Sequence, residues 1–100
     1  MKKRFTGELL LVIYDISDDK LRQRVADFLK SKGFTRVQKS AFVGRSLPAI
    51  KVEVEAGLRR LIKGQQGVNI QIYPIPPSSF NRRVVIGEFL FEDSGGVEVF

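Results

Sequence analysis

The sequence predicts an α+β domain in which two helices cover one face of a single sheet. Three observations predict it. Leu9 to Tyr14 is a continuous apolar run of strand length, closed by Asp15. A helical stripe follows directly, with Leu21, Val25, Phe28 and Leu29 at i, i+4, i+7 and i+8. Strand-like and helix-like segments then recur in the order β-α-β(β)-α-β, the order of a split βαβ sandwich.

Each element has a local reason. The first strand is apolar at every position, as a central strand buried on both faces should be. Ser17, Asp18 and Asp19 open the first helix: one caps it, and the acids suit the positive N-terminal end of its dipole. Gly33 after Lys30 and Lys32 is a stop signal. Thr35 to Val43 is rich in β-formers, and Gln38-Lys39 divides it into two short strands. Residues 49–62 carry both an alternating stretch, Lys51 to Glu55, and helical spacing at Ile50, Val54, Leu58, Leu61 and Ile62. The Lys51–Glu55 pair and the preceding Pro48 favour helix. Val68 to Tyr73 alternates strictly, a half-buried strand. Pro74, Pro76 and Pro77 are expected to end regular structure. The whole is a ferredoxin-like βαββαβ sandwich. Arg83 to Ile86 reads as one extra C-terminal strand, to be added to its own sheet or to a partner's. The expected division is a domain over residues 1–87 and an acidic tail over 88–100, with a loose hairpin around Ser94-Gly95-Gly96 as one form of that tail.

Composition narrows the chemistry. In 100 residues there is no Cys, His or Trp. Disulfide frameworks, thiol nucleophiles, imidazole bases and His-ligated metals are therefore excluded. Any metal is held by oxygen, which favours Mg²⁺, Mn²⁺ or Ca²⁺. The net charge of +6 divides into +10 over residues 1–83 and −4 over the rest. Such a body suits a polyanion, nucleic acid foremost, although a basic surface also serves solubility alone. The apolar run behind Lys2, Lys3 and Arg4 is too short for a signal peptide, and no run has the length of a membrane span. A cytoplasmic protein with no membrane partner is expected. No P-loop or GxGxxG occurs.

Asp15 is the first candidate for chemistry. It ends the central strand just before a helix, at the sheet edge where α/β proteins commonly place ligands. One Asp is too few for a tight metal site, but a two-fold axis beside it would supply a second. The alternative is that Asp15 merely caps the helix. Asp18 and Asp19 read as ordinary first-turn acids. Arg22 and Arg24 border the buried stripe on opposite sides, at about 100° per residue. They and Arg36 are either phosphate contacts or solvated arginines. Phe42 is either a platform for a base or a core residue. Lys2, Lys3, Arg4, Arg59, Arg60, Arg82 and Arg83 form basic clusters able to follow a phosphate backbone.

The stretch Val12-Ile13-Tyr14-Asp15-Ile16-Ser17-Asp18-Asp19-Lys20-Leu21-Arg22-Gln23-Arg24-Val25 strongly resembles the opening of the CRISPR-associated protein two family. The resemblance continues through Phe28-Leu29-Lys30 and Gly33 to Gly44. It returns less specifically at Ile70 to Ile75 and Arg83 to Gly87. Ala41 stands where that family usually has valine. The resemblance implies a ferredoxin-like fold and a homodimer in which the extra strand crosses to the other subunit. It implies that Asp15 is the metal-ligand aspartate, beside its mate across the two-fold. It also places Tyr14, Arg22, Arg24, Arg36 and Phe42 on positions linked to nuclease activity.

Two functions follow from this resemblance. One is a Mg²⁺-dependent endonuclease (Mn²⁺ being a possible substitute), acting on single-stranded RNA during spacer acquisition and antiviral defence. The other is a non-catalytic homodimer that holds duplex DNA while a CRISPR integrase subunit performs the chemistry. Neither the choice of RNA or DNA nor the role of the tail is readable from the residues.

Overall fold

A computed structural model describes residues 7–88. Seven elements occur there in chain order: β1 (Leu9–Ile16), α1 (Asp19–Ser31), β2 (Thr35–Gln38), β3 (Ala41–Arg45), α2 (Pro48–Ile62), β4 (Val68–Ile75) and α3 (Pro77–Asn81). The strands form one antiparallel sheet in the order β2-β3-β1-β4, with the apolar β1 at its centre. The expected ferredoxin-like order is present, including the division of the second strand region at Gln38.

Alternation along β1 sends its residues to two faces. Leu10, Val12, Tyr14 and Ile16 meet α1 and α2 in the main core, with Leu21, Val25, Leu29, Phe42, Val54 and Leu58. Leu9 faces the other way and packs with Val43 under Phe80 of α3. Asp18 caps α1: its Oδ2 accepts from the Leu21 N–H at 2.7 Å. Gly33, at φ 87°, takes the left-handed conformation that releases the chain into β2. Gly44 is required by space instead. A Cβ there would lie 2.7 Å from the Phe34 ring, so the strand must lack a side chain for that ring to enter the core.

Two details differ from the sequence reading, and a third narrows one of its open alternatives. Pro74 does not end β4, which continues to Ile75 with Pro74 opposite Leu10. Among the described residues β4 lies at the sheet edge and pairs only with β1, so a missing N–H can face outward without breaking a ladder. Pro77 opens a helix rather than loop, at the N-terminal position where proline costs nothing. Arg83 to Ile86 adds no strand to the chain's own sheet. The tail beyond Glu88, and with it the expected hairpin, lies outside the described residues, as do Lys2, Lys3 and Arg4. No helix among the described residues is long and apolar enough to cross a membrane.

Candidate active site at the end of the first strand

The end of β1 is bounded by two turns. On one side is the β2–β3 turn, where the Tyr14 N–H donates to the Ser40 carbonyl at 3.0 Å. On the other is Gly67, whose carbonyl accepts from the Ser17 N–H at 3.2 Å. Asp15 lies between them on the face that carries no α1 or α2, opposite Asn69 of β4. Burial falls along this face. Leu9 is fully buried beneath Phe80, Leu11 and Ile13 are half-buried, and Asp15 is exposed.

Asp15 does not cap α1, because Asp18 holds that position. Among the described residues its carboxylate has no hydrogen-bond or ion-pair partner. An exposed acid freed of the capping role, at the open end of a rigid strand, is suited to an external cation or donor. No group of three or more His, Cys, Asp or Glu able to hold a metal ion occurs among the described residues. One chain thus offers fewer than three such ligands here. Magnesium is commonly held through one or two carboxylates, with waters and phosphate oxygens completing its shell, so this donor set suits it if a second chain or a substrate contributes.

The structure does not gather the other five candidates around Asp15. Tyr14, its chain neighbour, points to the opposite face and is buried. Its ring stacks on Phe42, with centroids 6.2 Å apart and planes at 17°. The Arg36 guanidinium lies over the other partner of that row, 5.1 Å from the Phe42 centroid. Tyr14, Phe42 and Arg36 therefore make a row across β1, β3 and β2 on the helix-covered face. Phe42 has 0% exposure and, in this conformation, is a core residue with no face open to a base.

Arg22 reaches back from α1. Its Nη1 donates to the Ile16 carbonyl at 2.9 Å, and its Nη2 pairs with Asp19. It thereby ties the start of the helix to the end of the strand, one residue beyond Asp15. Arg24 is exposed on the far side of α1's stripe. Arg59, Arg60, Arg82 and Arg83 are exposed, and Arg83 covers the Phe80 ring at 3.9 Å. One neighbour of Asp15 was not singled out by sequence: Asn69, its register partner on β4. Only the strand register brings Asn69 opposite Asp15, and no spacing rule reaches fifty residues along a chain.

The model of the family described as CRISPR associated protein Cas2 matches residues 8–83. The chain belongs to the CRISPR-associated Cas2 family. Within that family it is 37% identical, over 78 residues, to a protein of Pyrobaculum aerophilum named CRISPR-associated endoribonuclease Cas2 2, covering 78% of this chain and 85% of that one. It is 39% identical over 82 residues to the CRISPR-associated endoribonuclease Cas2 of Korarchaeum cryptofilum, covering 82% and 87%. A 55-residue match at 42% identity joins it to a Cas1/Cas2 endonuclease fusion of Thermoproteus tenax, covering 55% of this chain and 21% of the fusion. Among solved structures, Streptococcus pyogenes Cas2 superposes with a TM-score of 0.68 at 25% identity, over 79% of this chain and 99% of that one. The matched region of the Cas2 family model contains all six candidate residues.

Proposed function

We propose that the chain is a metal-dependent CRISPR-associated endonuclease, cleaving single-stranded RNA as a homodimer and taking part in spacer acquisition. The observation that carries this reading is the exposed Asp15 carboxylate, without a partner among the described residues, in a chain whose Cas2 relatives are named endoribonucleases. Asp15 from each of two copies would hold Mg²⁺, with Mn²⁺ as a substitute. When bound, the ion supplies an activated water and neutralises charge developing on the phosphate.

The chain's own residues do the rest. Arg22 fixes the strand end that carries Asp15. The Tyr14–Phe42–Arg36 row holds β1 rigid from behind. Arg24 and Lys39 are exposed cations that would contact phosphates along a bound strand, which positions it without reading its bases.

The homodimer rests on the apolar surface beside the site. Val84 and Ile86 are 81% and 93% exposed, and Val85 is half exposed. They border a cavity of about 450 Å³ against Leu11, Ile13 and Ile75 of the sheet. The outer edge of β4 pairs with nothing among the described residues. An apolar segment outside its own sheet and a free sheet edge are complementary between two copies.

The test is cleavage of a labelled single-stranded RNA by the wild-type chain and by Asp15→Asn, each in Mg²⁺ and in EDTA. Loss of cleavage in the variant and in the chelator supports the reading. Cleavage that survives both sinks it.

A second reading is favoured by a separate observation. The Thermoproteus tenax relative carries Cas1 and Cas2 in one chain. On this reading the dimer is a scaffold that holds duplex DNA for an integrase subunit, and catalysis by Asp15 is dispensable. Spacer acquisition in cells carrying Asp15→Ala separates the two: acquisition that persists favours the scaffold.

A further inference from the structure

Beside Asp15, the sheet face away from α1 and α2 carries a line of polar side chains that includes none of the six candidate residues. Alternation places Asn69, Gln71 and Tyr73 of β4 on that face, opposite Asp15, Ile13 and Leu11 of β1. All three are exposed. They are linked in one direction. The Tyr73 hydroxyl donates to Gln71 Oε1, and Gln71 Nε2 donates to Asn69 Oδ1 at 3.0 Å.

The direction has a chemical consequence. Tyr73 occupies the Gln71 oxygen, so Gln71 turns its N–H₂ toward Asn69. Gln71 in turn occupies the Asn69 oxygen, so Asn69 is left with its N–H₂ as the free end of the line. An amide has two donors on nitrogen and acceptor capacity on oxygen, so this arrangement decides which the neighbour meets. That neighbour is Asp15, the register partner, and directly opposed side chains on one face have Cβ atoms about 4.5–5.5 Å apart.

We propose that Asn69 is a positioning residue for the Asp15 carboxylate, and that Gln71 and Tyr73 set the sense in which it acts. The two side chains make no hydrogen bond in the metal-free chain; when a divalent cation engages one Asp15 oxygen, the Asn69 N–H₂ would turn to hold the other. With one lone pair of its oxygen taken by Gln71, Asn69 meets its neighbour chiefly through its N–H₂. The inference rests on the reading of Asp15 as a metal ligand.

The test is Mn²⁺ binding to the full chain without nucleic acid, followed by the loss of the free-ion EPR signal on titration. Partners that orient a ligand typically contribute about 10–100-fold in metal affinity. Asn69→Ala is expected to weaken binding by about ten-fold, at the low end because the site is exposed. Asn69→Ser, which restores a donor, should recover part of that loss. Gln71→Leu, which keeps bulk but frees the Asn69 oxygen, should weaken binding by less than Asn69→Ala. Thermal unfolding should be the same for all, since the three side chains are exposed. Unchanged Mn²⁺ affinity in Asn69→Ala, with binding lost in Asp15→Asn, overturns the inference and spares the metal reading. Binding retained in Asp15→Asn overturns both.

Discussion

Tyr14 and Asp15 are bonded neighbours that face opposite sides of the sheet. Tyr14 is buried against Phe42 under the helices, and Asp15 is exposed on the face they leave uncovered. A motif contiguous in sequence is thus divided by strand geometry into a support and a reactive group. The two call for opposite signatures when mutated: loss of stability at one, loss of function without loss of stability at the other.

Phe42→Ala should cost about 3–5 kcal/mol, since it empties a fully buried aromatic site. That is a large share of the roughly 5–15 kcal/mol typical of a whole domain. The urea midpoint should fall accordingly. Phe42→Leu should fall less, and the activity of either should follow its folded fraction.

Gly44→Ala should also destabilise, although alanine is usually the better strand residue. The added Cβ would meet the buried Phe34 ring at 2.7 Å, and overpacking of this kind costs about 1–3 kcal/mol. Adding Phe34→Leu should recover part of the loss. Denaturant unfolding of the four-member cycle measures the coupling.

Asp18→Ala removes the bond to the Leu21 N–H and should cost about 1 kcal/mol. Asp19→Ala should cost less, because its pair with Arg22 is exposed on the Asp side. Thermal unfolding of both variants checks the order.

Ile86→Arg and Val84→Arg should leave the fold intact and convert dimer to monomer in sedimentation. Both side chains are largely exposed in the single chain, so only an intermolecular contact is lost. A variant that unfolds instead would place this segment in the chain's own core.

Binding to single-stranded RNA or duplex DNA should weaken linearly on a log–log plot against salt. Arg24→Ala should reduce the slope by about one, uniformly across sequences. Fluorescence anisotropy at several salt concentrations measures both.

Much of the fold was legible because the residues state it locally. The β1 run, the α1 stripe with its acidic start, and the alternation of β4 all hold in the structure. Pro74 misled because its meaning depends on whether β4 is central or at the edge, which is a tertiary fact. At the site, Asp15 was legible from its place at the end of β1. Its release from capping was not, since Ser17, Asp18 and Asp19 compete locally and only geometry assigns the cap to Asp18. Arg22 and Arg24 were legible as differing in facing, but not the Arg22 bond to the Ile16 carbonyl. Asn69 was illegible, because only the β1–β4 register places it opposite Asp15.

The central claim is that Asp15 from two copies forms one cation site. Anomalous diffraction from crystals of the dimer grown with Mn²⁺ and a non-cleavable single-stranded oligonucleotide tests it most directly. The account predicts one Mn²⁺ peak per dimer, at a metal–oxygen distance of roughly 2.0–2.3 Å from both Asp15 carboxylates. Mn²⁺ bound elsewhere, or the two carboxylates held too far apart to share it, would contradict the account.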